Sequence, residues 1–184
     1  MAEEMKDPSI AIFAGGCFWC TESIFDGFTG VISADPGYIG GDVDEPSYEE
    51  VSAGRTGHTE AVIVRFDPAK VDYPTLLNRY WTHIDPFDAG GQFADRGSQY
   101  RPAIFVLGEE QRKQAEESKA KLEAELGKKI APTIEAATQF YVAEDFHKDY
   151  HKKNALRYKA YYYGSGRAAR LEEVWGDKMA KPTN

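Results

Sequence analysis

Cysteine is nearly absent from this chain: its 184 residues hold two, Cys17 and Cys20. Two cysteines are too few to staple a domain of this size, which excludes a disulfide scaffold. In a reducing compartment a close pair is more often catalytic or metal-binding than structural. Long apolar runs are missing as well, since none approaches the roughly 20 residues of a membrane span. The N-terminal MAEEMKDPS is acidic and polar, unlike a signal peptide, so the cytoplasm is the expected location. There is no dense Lys/Arg block. With 22 basic residues against 30 acidic ones and a net charge of -8, a nucleic-acid or anionic-membrane surface has little support. No repeat or low-complexity stretch appears. The length fits one catalytic domain spanning 1–184, with a core over about 9–170 and a partly ordered tail from Gly164, and a monomer is expected.

What is present is organised around strands and glycine turns. SIAIFA, ending at Ala14, is a short β-branched and aromatic run stopped by Gly15-Gly16, the signature of a buried strand. The turn opens a helix from Cys17 to about Phe28. Residues 31–53, rich in Gly, Pro, Asp and Tyr, suggest a weak strand followed by a long ordered loop, and loops of that length usually have a task. TEAVIVRFDP (59–68) is a strand ended by Asp-Pro, and PTLLNRYWTHIDP (74–86) is a short helix. A second irregular loop leads into the strand PAIFVL. Residues 108–127 carry the strongest helix signal, with Leu122 and Leu126 inward and a solvated charged face. A strand around TIEAATQFYVAE and a helix through FHKDYHKKNA follow. Connections this uneven predict an α/β (α+β) two-layer sandwich on a central mixed sheet flanked by helices, with a ferredoxin-like core and long ordered loops.

Three clusters can carry chemistry. A thiol in the first turn of a helix faces unpaired backbone N–H groups and the positive dipole end, which favour thiolate, and Cys17 is expected there. Cys20 lies three residues on along the same helix, near enough for a disulfide after local adjustment. The pair is also compatible with two buried hydrophobes, whereas a zinc site lacks a second Cys pair or a nearby histidine. Glu60 heads a strand whose alternation puts it on the face of Val62, Val64 and Phe66, where desolvation would hold it protonated as a general acid. The adjacent GRTGH turn is expected to bring His58 into the same region. In GGQFADRGSQYR (90–101), glycines bracket Asp95, Arg96 and Tyr100 in a loop suited to presenting polar groups. His147 and His151, four apart without an acid motif, are expected at the surface.

GGCFWCTE (15–22), YIGG (38–41), PSYEEVSAGRTGHTE (46–60), HIDPFDAGGQFADRGSQYRPAIF (83–105) and the late YYYGSGR together resemble the type A peptide methionine sulfoxide reductases, in order, over roughly 9–170. The resemblance implies reduction of the S epimer of methionine sulfoxide, free and in proteins. Cys17 would be the nucleophile, passing through a sulfenic acid, and Glu60 the acid that protonates the sulfoxide oxygen. Tyr48 and Tyr100 would assist it, Phe18 and Trp19 would form the pocket for the substrate methyl, and Asp95 would help bind and orient the substrate through water. No metal or organic cofactor is implied; the reductant would be an external thiol protein such as thioredoxin. Many members of that family carry a resolving cysteine in a Gly-rich tail, and some carry one at the place of Ala94. Here GSGRAARLEEVWGDKMAKPTN has none and Cys20 replaces a residue that is often Gly, so the resemblance implies resolution as a Cys17–Cys20 disulfide or, with Cys20 turned away on the helix, direct reduction of the sulfenic acid by thioredoxin, glutathione or a glutaredoxin. The alternative is a general Cys-x-x-Cys thiol–disulfide oxidoreductase, although the Phe-Trp insert is unlike the small or proline-containing insert usual there.

Overall fold

The computed structural model describes residues 9–178. Its eight strands are β1 (Ile10–Ala14), β2 (Val31–Ile39), β3 (Thr59–Phe66), β4 (Gly91–Gln92), β5 (Asp95–Arg96), β6 (Ala103–Val106), β7 (Thr133–Ala136) and β8 (Tyr141–Val142). The seven α-helices are α1 (Phe18–Phe25), α2 (Tyr48–Ser52), α3 (Tyr73–Trp81), α4 (Glu109–Leu126), α5 (Tyr150–Lys153), α6 (Ala155–Gly164) and α7 (Arg167–Trp175). Six strands form one sheet in the order β7-β6-β1-β3-β2-β8; every pair is antiparallel except β6 with β7, so the sheet is mixed as expected. β4 and β5 form a separate small ladder.

The continuous apolar run of β1 follows from its central place, because both of its faces are buried. Ala11 and Phe13 join the larger core with Val62, Val64, Ile104 and residues of α1, α3, α4 and α7. Ile10, Ile12 and Ala14 join a smaller core with Ile39, Ile63 and Phe105 on the opposite face, which is covered by Phe140 and Ala137 rather than by a helix. The helices start where their caps demand. Ser47 and Glu50 make a capping box for α2, and the Asp72 side chain accepts from Thr75 N at 2.8 Å to start α3.

Three expectations are corrected. The weak strand expected at 31 is a nine-residue strand that passes through Pro36 and Gly37 to Ile39, six of whose residues are buried. Gly37 is required there because a Cβ would stand 2.4 Å from the Phe140 ring, so composition that reads as loop marks a close backbone approach. The single strand expected around 133–144 is two, β7 and β8, at opposite edges of the sheet, joined by the segment that carries Phe140 across the small core. The tail expected from Gly164 is ordered through Lys178: α7 buries Leu171 and Trp175, and Trp175 Nε1 donates to Ile84 O at 2.9 Å. Its apolar residues recur at helical spacing within a charged, glycine-led segment, and that composition hides them. Residues 179–184 of the expected tail lie outside the described residues.

Candidate active site

Gly16 holds the turn between β1 and α1 at φ +85, and a Cβ on it would fall 2.6 Å from Cβ of Gln92. Only glycine meets both conditions. The turn places Cys17 as the N-cap of α1, one position before the first turn in which it was expected, and its side chain makes no cap bond. Cys17 is 7% exposed and Cys20 1%, and both are free thiols. The expected resting thiolate at Cys17 is corrected. Phe18 N, the first backbone donor of α1, is bonded to Glu60 Oε2 at 2.9 Å. Burial pushes the Cys17 thiol well up, and a hydrogen bond with Cys20 and the charge of Glu60 push the same way. Cys20 is the lowered member of the pair, at about 7, through its hydrogen bond with Cys17 and the positive charge of Arg167 acting against burial.

Glu60 is 2% exposed and its carboxyl is pushed up to about 8, mainly by burial, against the lowering bond from Phe18 N and with a small push from the Asp95 charge. It is a neutral acid at pH 7, in agreement with the reading of its strand face. His58 does not converge with it. Its ring accepts from Gly41 N at 3.0 Å and donates to Val43 O at 2.7 Å, so it anchors the loop after β2.

The 90–101 loop is drawn to β3 by Thr59, whose hydroxyl donates to Gln99 O at 3.1 Å. This brings Tyr100, at the end of a short 3-10 turn, towards Glu60. Burial raises Tyr48 to about 12 and raises Tyr100 further, with Glu60, Cys17 and Asp95 adding repulsion at both hydroxyls, so all five groups face one region. Tyr48 is placed by its backbone N–H, which donates to Glu144 Oε1 at 2.9 Å, while Tyr38 OH donates to Glu144 Oε2 at 2.7 Å. Asp95 accepts from Tyr161 OH.

Phe18 is buried among aromatic rings, 5.8 Å from Tyr38, 6.4 Å from Tyr48 and 4.8 Å from His147. Trp19 is half-buried, with Tyr150 stacked on one face at 3.8 Å and the edge of Tyr161 at 5.9 Å. His147, expected at the surface, is 1% exposed and accepts from Trp19 Nε1 at 3.0 Å. His151 is half-buried, with its Nε2 2.9 Å from Asp26 Oδ2.

Sequence reasoning therefore brought Cys17, Glu60, Tyr48, Tyr100 and Asp95 to one place and missed Glu144, His147, Tyr150 and Tyr161. The excess of tyrosine, eleven in the chain, is the signal that points to the last two. Among the described residues no group of three or more His, Cys, Asp or Glu side chains could hold a metal ion, and no helix is long and apolar enough to cross a membrane.

A buried acid beside a cysteine at a glycine-turned helix start, walled by aromatics, is the arrangement to set against known proteins. The family model for peptide methionine sulfoxide reductase matches residues 9–179. The peptide methionine sulfoxide reductase MsrA of Bacillus licheniformis is 51% identical over 180 residues, covering 97% of this chain and 98% of that protein. Among solved structures, methionine sulfoxide reductase A of Corynebacterium diphtheriae aligns with TM-score 0.72 and 34% identity, over 80% of this chain and 76% of that one. Mxr1 from Saccharomyces cerevisiae in complex with Trx2 aligns with TM-score 0.51 and 20% identity over 77% and 83%, a likeness of fold alone. On this agreement along nearly its whole length, the chain belongs to the peptide methionine sulfoxide reductase family and is an oxidoreductase.

Proposed function

We propose that Cys17 is the nucleophile with which this oxidoreductase reduces methionine sulfoxide to methionine, and that Glu60 is the acid that serves it. The observation that carries this reading is the bond from Phe18 N to Glu60 Oε2 at 2.9 Å, which holds a buried, neutral carboxyl at the helix start that bears Cys17. The sulfoxide, of the S epimer, lies with its methyl against Trp19 and Phe18. Glu60 donates its proton to the oxygen, assisted by Tyr48 and Tyr100, and Asp95 orients the substrate. Protonation makes the sulfur electrophilic enough for a thiol held neutral by burial. As the Cys17 sulfur attacks, the thiol proton returns to Glu60, methionine leaves, and Cys17 is left as the sulfenic acid.

Cys20 then attacks Cys17, releasing water and forming the disulfide. Its lowered thiol and its hydrogen bond with Cys17 support this role. Thioredoxin or a similar thiol protein is the proposed reductant of that disulfide, in free and peptidyl turnover alike. No metal or organic cofactor enters these steps. The strand order β6-β1-β3-β2 supports a ferredoxin-like core within one catalytic domain, proposed to act as a cytoplasmic monomer.

Intact mass after one equivalent of methionine sulfoxide without reductant tests the route. A loss of two hydrogens that disappears in Cys20→Ser is expected. A gain of one oxygen in the wild type would refute the resolving role, and turnover retained in Cys17→Ser would refute the nucleophile.

A further inference from the structure

A cavity of about 320 Å³ lies against Cys20, and none of Cys17, Trp19, Tyr48, Glu60 or Asp95 lines it. Its wall includes Arg79, Lys159 and Arg167 and no acidic side chain, in a protein whose net charge is -8. Arg79 is 7% exposed and Arg167 1%. Among the described residues neither is in an ion pair with a carboxylate. Arg79 Nη1 and Arg167 Nε also have no hydrogen-bond partner. The bonds the two guanidinium groups do make are to neutral backbone oxygens, Arg79 Nε to Ile24 O and Arg167 to His83 O and Gly15 O, so neither positive charge is balanced by a negative one. Two buried guanidinium groups without a carboxylate, beside a reactive sulfur, mark a place for an anion.

We propose that this cavity binds a low-molecular-mass thiol bearing a carboxylate and presents it to Cys20, giving the enzyme a second, small-molecule route of recycling. The inference rests on the Cys17–Cys20 disulfide proposed above. Thiolate from the bound molecule attacks Sγ of Cys20, the Cys17–Cys20 bond breaks, and Cys17 leaves with the electron pair and takes up the proton that the small thiol gave up. A second molecule of thiol attacks the small molecule's own sulfur in the mixed disulfide. Cys20 is released as a thiol, and the product is the symmetrical disulfide of the reductant, so two thiols are oxidised for one protein disulfide reduced. The wall favours the step when it is needed. In the reduced protein the Cys20 sulfur is the group whose negative charge Arg167 feels most, whereas in the disulfide that charge is gone and both arginines face the cavity without a counter-charge.

Two measurements test this. In Cys17→Ser, Cys20 is the sole thiol, so its rate of alkylation by iodoacetate relative to iodoacetamide reads the cavity's charge whether or not a disulfide forms. The ratio is expected about fivefold above that of free N-acetylcysteine amide, falling towards it when Lys159→Glu or Arg79→Gln is added. Lys159 is exposed, so its variant is expected to fold even if Arg79→Gln does not. A ratio at or below that of the free thiol would overturn the site. In the wild-type disulfide form, single-turnover reduction by 3-mercaptopropionate, corrected for thiolate fraction, is expected to be about fivefold faster than by 2-mercaptoethanol, with cysteamine slowest, and Lys159→Glu should erase the order. Equal corrected rates would overturn the recycling route. A sulfenic acid in place of the disulfide would instead refute the resolving role of Cys20 and this route with it, while the alkylation ratio would still decide the anion site.

Discussion

Trp19 Nε1 donates to Nδ1 of His147 at 3.0 Å, across 128 residues of sequence. The bond requires Nδ1 to be an acceptor, which puts the proton of the neutral ring on Nε2. Burial lowers the His147 value, so the neutral ring is the folded form. Replacing it with Leu leaves the indole N–H without a partner and is expected to cost about 1 kcal/mol of stability and to raise KM about fivefold. His147→Asn offers an oxygen near the place of Nδ1 and should recover part of the loss in a KM and denaturation comparison. Because the folded value is depressed, this contribution is present above the ordinary histidine range near 6.5 and is lost as pH falls below it.

Glu60, lifted to about 8 by burial, must be protonated to act as an acid. The kcat/KM profile is therefore expected to fall as pH rises through about 8. Glu60→Gln keeps a hydrogen bond to the oxygen but has no proton to transfer, so it should lose that alkaline limb and retain more activity than Glu60→Ala. Glu60→Ala should reduce kcat/KM by on the order of 100-fold, and equal losses in the two variants would argue against hydrogen-bond donation. Stability has the same sign. A folded value raised from 4.5 to about 8 contributes nothing unfavourable below 4.5 and costs stability progressively up to about 8, so urea midpoints of wild type should fall over that window more than those of Glu60→Gln.

Tyr161 OH donates to Asp95 and thereby holds the carboxylate proposed to orient substrate. In Tyr161→Phe the ring remains but the donor is gone. The expected result is a KM raised about tenfold with kcat little changed, since hydrogen bonds to charged groups contribute about 1.5–3 kcal/mol. A fall in kcat with unchanged KM in steady-state kinetics would place Tyr161 in the chemical step instead.

Trp175 is 4% exposed and caps Ile84 O through its indole. Trp175→Ala is expected to cost about 3–5 kcal/mol in chemical denaturation. A cost under about 1 kcal/mol would mean that α7 is peripheral to the fold.

Much of this site was legible from short-range sequence. Cys17 follows a strand and a glycine turn, and both features are written within eight residues. Glu60 was legible because strand alternation has a period of two, which puts a carboxylate at an apolar position on the face of Val62 and Val64. The 108–127 helix was visible from its charge pattern and its length. What failed was whatever depends on partners far along the chain. Pro36 and Gly37 looked like loop because their place in a strand depends on distant partners, Ala143 N donating to Pro36 O and the Phe140 ring lying against Gly37. His147 looked like a surface residue because no acid motif accompanies it in sequence, whereas its neighbours in space include Phe18, Trp19 and Tyr48.

The protonation of the thiols divides in the same way. By itself the sequence determined that a cysteine would stand at a helix start with a second one three residues on, because glycine turns and helical periodicity are local properties of the chain. The local hydrogen bond between the two thiols raises Cys17 and lowers Cys20, and what only the tertiary structure decided is the burial and the distant charges that act on each. Burial and the Glu60 carboxyl push Cys17 up, while Arg167, 147 positions beyond Cys20 in the chain, helps pull Cys20 down. Electrostatic energies depend on distance in space and on exclusion of water, and neither is encoded in a local pattern.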